Sequence, residues 1–376
     1  MSRLLSVAGA RRPSGLLLGM AGLLGFLLAA PLHANPRYAA RYDQRCGLCH
    51  DDPAGGGKRN LYAAQFLVPS EMSWRPMDDE ARERIQPRLG PNLSVGVDLR
   101  TLHHYSDDRT EPQNFVEMEG NLYLAFQPDA RITAYLTRGI SGSYEVFGIA
   151  YVLPHSGYVK VGRFVPPFGW RLPDHSAFVR SYGGFVPPSH SDVGVELGVF
   201  PGRLELQAAL TNGARGQIGD NNRDLAFSGR AAARFHLAGI KAALGGSYAH
   251  NGSPGARASA AGPLGSLAWQ RLTWVGEADW SHRDLTDGGS TRGLDLTQEL
   301  AFRLRPGWDL LATHDFHDPD TGRRTGALNR YGFGVELLPS PFLQLRAMAN
   351  SYDARKGPDL PRDDYFQSEV QVHFLY

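Results

Sequence analysis

The chain has 376 residues, a formal net charge of +1, 44 glycines and 39 aromatic residues (18 Phe, 15 Tyr and 6 Trp). This near-neutral balance gives the protein no electrostatic reason to bind nucleic acid, because phosphate backbones select basic surfaces. Beyond residue 34, no apolar run reaches the roughly 20 residues that a membrane-spanning helix needs.

Residues 1–34 have the pattern of a secretory signal peptide. Arg3, Arg11 and Arg12 precede an apolar run of 15 residues, 16–30, and small residues follow up to Ala34. The run is too short for a spanning helix, which favours a cleaved signal over a retained anchor. Cleavage after Ala34 removes three basic residues and no acidic one, so the net charge changes from +1 to −2.

The only two cysteines occur as Cys46-Gly-Leu-Cys49, and His50 follows directly. This spacing matches c-type haem attachment, in which each thiol takes one vinyl group and the histidine becomes the proximal iron ligand. A thioredoxin-type redox pair and half a zinc site share the spacing. The first needs a βαβ surround and the second needs further Cys or His ligands, which the neighbouring sequence does not supply. We therefore expect one covalent haem c on Cys46, Cys49 and His50.

Residues 35–88 are expected to form a small haem-binding segment. About fifty residues bury little apolar surface alone, so the porphyrin or the wall of a following domain must complete the core. The run Gly55-Gly56-Gly57 predicts a close backbone approach to a haem edge or to that wall. A short charged helix is predicted at 78–88, leading into the first strand.

The sixth position on the haem iron has several candidate ligands. Met72 is the first candidate, and Met77 lies a few residues further on. His103 and His104 are alternatives if the haem sits inside a barrel, and by strand parity His104 faces the lumen. An open or water-ligated iron is a further alternative.

From residue 92 onward apolar and polar residues alternate, which is the period of a strand with two different faces. In the last segment, Phe366 and Val370 fall on one face and Gln367 and Glu369 on the other. Sixteen segments show this pattern: 92–104, 114–127, 130–138, 143–153, 157–164, 192–200, 203–212, 224–236, 239–249, 263–269, 272–282, 292–304, 307–316, 328–338, 341–352 and 364–376. The even strand count, the charged second face and the terminal aromatic Tyr376 favour an outer-membrane barrel over a soluble sandwich. The predicted fold is therefore all-β, a sixteen-stranded antiparallel outer-membrane β-barrel over residues 89–376.

The connections alternate in length, as they do in outer-membrane barrels. Short ones include 200–202 and 305–307, whereas longer polar ones are predicted at 212–223, 250–262, 282–291, 317–327 and 353–363. The third long loop, residues 165–191 (loop L3), is rich in proline and aromatic residues and is predicted to fold into the pore and narrow it. In loop 7, His314, Asp315, His317, Asp318 and Asp320 are a candidate metal site, although a solvated acidic loop explains the same residues.

The order of a signal peptide, one Cys-x-x-Cys-His motif (Cys46, Cys49 and His50) and a sixteen-stranded barrel ending at Tyr376 resembles the outer-membrane fused monohaem cytochrome–porins of the iron-oxidising type. Residues 158–170 also resemble a segment of phosphate-selective-type porins. The first resemblance implies a cell outer-membrane location, with the haem segment at the periplasmic side or within the lumen. It also implies electron transfer between an extracellular reductant or metal ion, such as Fe(II), and a periplasmic c-type cytochrome or other carrier, so that the chain would act as an Fe(II) oxidase.

Two other functions compete with electron transfer. The barrel is a solute-diffusion porin if the haem serves only as a structural plug or a redox sensor. It is a sheath if its lumen docks a separate multihaem cytochrome. The outer-membrane lipid is a partner in every case.

Overall fold

The computed structural model describes residues 36–108, 112–140, 142–172, 174–185, 189–217, 219–220, 222–253, 255–286, 288–323, 326–354 and 364–376. The predicted signal peptide at 1–34 lies outside the described residues. Among those described, no helix combines the length and the apolar character needed to cross a membrane.

Sixteen antiparallel strands within the described ranges form one closed barrel, as the alternation predicted. They are β1 (Leu93–Ser106), β2 (Gln113–Asp129), β3 (Ile132–Gly139), β4 (Tyr144–Leu153), β5 (Gly157–Phe164), β6 (Asp192–Val199), β7 (Leu204–Thr211), β8 (Ala226–Leu237), β9 (Ile240–Ser253), β10 (Ala256–Trp269), β11 (Leu272–Leu285), β12 (Ser290–Arg305), β13 (Trp308–Asp318), β14 (Leu328–Ser340), β15 (Leu343–Ala354) and β16 (Asp364–Leu375). Each strand pairs with its neighbours in sequence, and β1 pairs with β16. The seam continues to the last residue, where Tyr376 and Val97 exchange two backbone hydrogen bonds of 2.7 Å.

The two faces of the wall have the polarity of a membrane barrel. Large apolar side chains point outward, as shown by Leu244 and Phe333, each 65% exposed. Charged side chains point into the bore and are fully buried there, including Asp98, Lys160 and Glu196. A soluble sandwich has the opposite arrangement, because it buries its apolar face and exposes its charges. The geometry is therefore that of a barrel that meets lipid outside and polar groups inside.

The loop predicted at 250–262 is wrong, and the one predicted at 282–291 is shorter, because β11 continues to Leu285 and β12 begins at Ser290. Residues 250–262 are rich in Gly, Ser, Pro and Ala and were expected to be a long loop, yet β9 continues to Ser253 and β10 begins at Ala256. Small residues give little periodic signal, but the ladder between the two strands pairs them from Ser253↔Ala256 down to Ile240↔Trp269. Tertiary pairing thus outweighs the local turn composition.

Two inserts of the chain occupy the bore. The N-terminal plug, residues 36–77, contains helix α1 (Pro36–Tyr42), a 3₁₀ turn (Cys46–Leu48) and a π-helical segment (Ala63–Met72). Helix α2 (Asp79–Arg84) leads to β1, as predicted, and the Asp78 side chain accepts a hydrogen bond of 2.8 Å from the Ala81 N–H at its start. Loop L3 carries the short helix α3 (Phe178–Ser181) and also enters the bore.

The plug lies at the rim with the short turns. Its Trp74 N–H donates to the Leu338 carbonyl at the end of β14, at 2.8 Å, and the Arg45 side chain donates to the Gly202 carbonyl in the β6–β7 turn. We call this end the short-turn rim and the opposite end, from which L3 descends, the loop rim.

Candidate functional site

The Cys-x-x-Cys-His motif forms a single tight turn inside the plug. The backbone N–H groups of Cys49 and His50 both donate to the Cys46 carbonyl, at 3.0 and 3.1 Å. Asn60 fastens the turn from below, because its N–H donates to the Cys49 carbonyl at 2.9 Å and its Nδ2 donates to the Leu48 carbonyl at 2.8 Å. The two thiols are not joined in a disulfide.

The environment of Cys49 argues against a thioredoxin-type redox pair. Burial raises the pKa of the Cys49 thiol to about 11, with a further rise from Cys46 and an opposing effect of Arg59. A catalytic redox thiol needs a depressed pKa so that thiolate is present at neutral pH. The structure therefore supplies a protonated thiol packed in an apolar cluster and not an activated nucleophile.

A zinc site at the cysteines also lacks support among the described residues. Among the described residues, the one group of side chains close enough together to hold a metal ion consists of Asp98, Glu119 and His373, and it includes neither cysteine. Of these, Asp98 and His373 are paired at 2.6 Å, and Glu119 is paired with Arg100 at 2.7 Å.

The three glycines approach two neighbours closely, as their sequence predicted. Gly55, Gly56 and Gly57 all have positive φ, at 93°, 79° and 62°. A Cβ on Gly57 would lie 2.3 Å from the Tyr135 Oη on β3, and a Cβ on Gly55 would lie 3.1 Å from the Cys46 Sγ. The run thus packs the motif turn on one side and the barrel wall on the other.

Ion pairs fix the plug to both sides of the bore. On one side Asp52 meets Lys160 of β5 at 3.0 Å, and Lys160 also meets Glu196 of β6 at 2.8 Å. Burial acts to raise the pKa of the Asp52 carboxyl, but Lys160 and Arg171 outweigh it and hold the pKa below its ordinary value. Arg171 belongs to L3 and donates to the Gly55 carbonyl at 2.9 Å, so the two inserts touch each other.

On the opposite side, the plug uses two arginines of helix α1. Arg37 pairs with Glu299 of β12 at 2.8 Å and with Glu336 of β14, and Arg41 forms a bidentate pair with Asp309 of β13 at 2.7 and 3.0 Å. These are buried, charge-assisted contacts, the strong class of hydrogen bond. Because the bore is filled by its own chain, a sheath for a separate cytochrome has no room in this conformation.

A cavity borders the motif at the short-turn rim. Its volume is about 690 Å³, within the range of about 300–1,000 Å³ for ligand pockets. Its wall includes Gly47 and Leu48 between the cysteines, the aromatic rings of Tyr151 and Phe200, and three arginines, Arg45, Arg203 and Arg234. An aromatic wall with cations suits a flat apolar macrocycle that bears carboxylates.

The motif fits a c-type haem in the type and spacing of its donor atoms. The free thiols, the single turn and the following histidine are the donor set of a c-type site. The cavity is lined by the residues between the cysteines and not by Cys46, Cys49 or His50, and His50 is only 6% exposed. Seating a porphyrin against His50 therefore requires local repacking of the plug.

The predicted sixth ligands are placed very differently. Met72 is buried in the same cluster as Tyr38, Leu67 and Val68, against which Cys49 also packs. Met77 is buried outside this cluster.

The two histidines of β1 lie far from the motif. The His103 ring contacts the outward Phe115 ring at 4.9 Å between centroids, whereas His104 is buried and bonds to the Gln367 side chain. His104 faces the lumen, as strand parity predicted. It is eight residues along β1 from Gly96, where a Cβ would lie 3.1 Å from the side chain of Lys58 in the plug. At about 3.3 Å per residue that separation is roughly 26 Å, too long for one iron to join His50 and His104.

The structure forms neither the candidate metal site in loop 7 nor the solvated acidic loop that explained the same residues. These residues belong largely to β13, so their side chains alternate between its two faces. His314 stacks on the outward Tyr331 at 4.8 Å, whereas Asp315 is buried in the bore and paired with Arg330 at 2.7 Å. His317 also faces inward, where it bonds to Asp295 at 2.6 Å. The five residues therefore cannot surround one ion.

Loop L3 folds into the bore, as predicted, and several of its contacts were not evident from the sequence. The Trp170 N–H donates to Glu277 of β11 at 2.6 Å, and the Arg180 guanidinium pairs with the same carboxylate. Strand parity indicates that such charges face the lumen, but it does not tell which distant partner each one meets. The pairings need the closed barrel, because partners such as Arg180 and Glu277 are 97 residues apart.

The sequence matches no family model and no curated protein. The fold is similar to several solved porins, each at 10% sequence identity. An anion-selective porin from Comamonas acidovorans has a TM-score of 0.58, with 76% of this chain and 99% of that chain covered. OmpT of Vibrio cholerae has a TM-score of 0.56, covering 77% and 100%, and OprB of Pseudomonas putida has 0.53, covering 82% and 99%. The chain therefore has the closed sixteen-stranded fold of porins, with an N-terminal plug and L3 inside its bore.

Proposed function

We propose that the protein is a porin-type channel of the cell outer membrane for small solutes, whose bore is closed by a plug that carries a covalent haem c. The observation that carries this proposal is a polar, ion-paired bore inside an apolar exterior, crossed by two inserts of the same chain. Short turns face the periplasm in such barrels, so the plug lies on the periplasmic side.

In this proposal Cys46 and Cys49 form the two thioether links, and His50 is the proximal iron ligand. The haem supplies a one-electron iron couple whose potential depends on its axial ligands. The plug's own residues hold the motif in place: Asn60 fastens the turn, and Asp52 ties it to the wall through Lys160.

Channel function is tested by single-channel conductance in planar bilayers with the full chain. The native protein is expected to conduct weakly, because the plug and L3 fill the bore. Arg37→Ala combined with Arg41→Ala removes the ion pairs to β12, β13 and β14 and is expected to raise the conductance severalfold. Arg84→Ala combined with Arg323→Ala is the matched control, since both arginines are exposed and pair with a carboxylate on the surface. A release variant that conducts no better than the control would refute the plugged-channel proposal.

Electron transfer is the second candidate. It is favoured by the position of the motif beside an open cavity at the periplasmic rim, where a periplasmic c-type cytochrome or other carrier can approach. An extracellular reductant, such as Fe(II), would be the donor on the loop side. A haem stain and an absorption spectrum test attachment, with Cys46→Ala combined with Cys49→Ala as the blank. A haem that neither Fe(II) nor another small external donor reduces would rule this candidate out and leave a structural plug or a redox sensor.

A further inference from the structure

A second cavity lies on the other side of the inserts, towards the loop rim. It has a volume of about 300 Å³ and is enclosed between L3 and the inner wall from β7 to β13. L3 contributes Phe168, Tyr182 and Phe185, and the wall contributes carboxylates that include Asp279 and Asp295.

The carboxylate of Asp279 is buried without a counter-charge of its own. It is 3% exposed, and within the described part of the chain neither of its oxygens accepts a hydrogen bond from an N–H or hydroxyl donor, while the Glu277 carboxylate beside it can bond to it only through a shared proton. Glu277 lies two residues earlier on the same face of β11, where it accepts the Trp170 N–H and pairs with Arg180. One guanidinium thus serves two carboxylates. An isolated buried carboxylate is costly unless a cation or a proton neutralises it.

The remaining walls suit the apolar part of an organic cation. Phe168 and Phe185 stack at 4.4 Å between ring centroids, and Tyr182 stacks on His317 at 3.6 Å. Aromatic faces attract ammonium groups and bury methylene groups at the same time. Two arginines line the cavity: Arg215 is already used, because it lies over the Phe185 ring at 4.3 Å and donates to the Gly184 carbonyl at 2.8 Å, and Arg283 is exposed on β11.

We propose that this cavity binds a small protonated amine, with the ammonium group on Asp279 and the carbon chain against Phe168 and Phe185. A bare metal ion suits the cavity less well, because the group of described residues close enough together to ligate one lies elsewhere, at Asp98, Glu119 and His373. The inference rests on the proposed solute channel and names a class of solute for it.

The test is calorimetric titration of the full-length protein in detergent with n-butylammonium and with n-butanol, its neutral counterpart. Saturable binding of the ammonium is expected, with much weaker binding of the alcohol. Asp279→Asn keeps the side-chain shape and is expected to raise the Kd about tenfold or more, the usual worth of a charge-assisted bond. Phe185→Leu is expected to raise it severalfold, because it removes the ring edge that borders the cavity and the stack that holds Phe168 in place. Glu145→Gln is the matched control, since Glu145 is another buried lumen carboxylate and lies outside this cavity.

Three results would overturn the proposal: equal binding of the alcohol, an unchanged Kd in Asp279→Asn, or no binding together with an infrared band of a protonated carboxyl that Asp279→Asn removes. The last result would show that a proton neutralises Asp279. Folding of each variant is checked by its heat-dependent shift on a gel. Because binding is measured without conduction, a failed titration leaves the channel proposal standing, and a non-conducting protein that binds the amine refutes only the channel.

Discussion

At the scale of single residues, Gly57 holds the plug against the wall. Its positive φ and the nearby Tyr135 hydroxyl leave no room for a side chain. The Lys58 N–H donates to the same hydroxyl at 3.0 Å, so contact and hydrogen bond act together.

Gly57→Ala is therefore expected to loosen the plug. Gly90→Ala is the control, because Gly90 also has a positive φ, of 85°, but a Cβ there meets nothing within 4 Å. Both variants place a side chain at positive φ, which costs about 1 kcal/mol of stability, and only Gly57→Ala adds a clash with the Tyr135 hydroxyl. Trypsin cleavage after Lys58 and Arg59 measures how often the plug leaves the wall, because these residues are only 2% and 8% exposed when it is docked. Cleavage should speed up about tenfold or more in Gly57→Ala and little in Gly90→Ala. Equal rates in the two variants would contradict the docking contact.

A second residue-level prediction concerns the sixth ligand of the proposed haem. Met72→Ala is expected to lower the midpoint potential of the haem-loaded protein, because methionine ligation raises it. Met77→Ala is the control, since Met77 is also buried but lies outside the cluster that contacts Cys49. A redox titration with the same potential for Met72→Ala and the native protein would remove Met72 from consideration.

At this scale the sequence indicated the residue types and not the contacts. The glycine run predicted a close backbone approach. Its partner, Tyr135, lies 78 residues further along the chain, and only the closed barrel brings the two together. In the same way the motif identified Cys46, Cys49 and His50, while Asp52 and Lys160 showed no local signal of their pairing. The pairing depends on where β5 meets the plug, which no short window of sequence contains.

At the scale of elements, loop L3 depends on ion pairs that respond to pH. Asp174 accepts bonds from the Ser176 N–H at 2.9 Å and Oγ at 2.6 Å and pairs with Arg346 of β15 at 3.0 Å. Burial acts to raise the pKa of the Asp174 carboxyl, but Arg346 and Arg330 outweigh it and hold the pKa well below its ordinary value.

The direction of the pH dependence of L3 docking follows from this depressed pKa. The contribution of Asp174 to L3 docking is fully present above its unfolded pKa of about 3.9 and is lost as the pH falls towards the lower folded value. The native protein is therefore expected to keep L3 docked at neutral pH and to release it in acid below about pH 4. Asp174→Asn should conduct more at pH 7 and show a smaller change between pH 7 and pH 3. A variant with the native pH profile of conductance would show that Asp174 does not hold the loop.

Strands were the most predictable elements, because alternation is a local property that repeats along each of them. The exceptions have physical reasons. β9 and β10 run through small residues with little periodicity, and their length comes from pairing with each other. The loop 7 residues allowed a solvated acidic loop or a metal site only while they were treated as a loop, and the strand geometry of β13 separates His314 from His317.

At the scale of the whole molecule, closure depends on the seam between β1 and β16. Deleting residues 374–376 removes the register pairs Phe374↔Leu99 and Leu375↔Asp98 and both backbone bonds of Tyr376. The deletion is expected to reduce the fraction of folded, heat-modifiable protein after refolding into detergent. Tyr331→Ala is the control, because this outward aromatic lies on β14, away from the seam. Equal folded fractions in both variants would show that the remaining seam pairs suffice.

The plug touches opposite walls of the bore, through Lys160 on one side and Glu299, Asp309 and Glu336 on the other. Contacts of this kind bear on the order of events during biogenesis. Helix α1 and the motif turn are encircled once β1 and β16 have joined, so a plug that docks first is enclosed as the wall closes, whereas one that docks later must enter through the short-turn rim. If Cys46 and Cys49 carry the proposed haem, attachment is expected to be easier before closure, because His50 is only 6% exposed once the plug is docked.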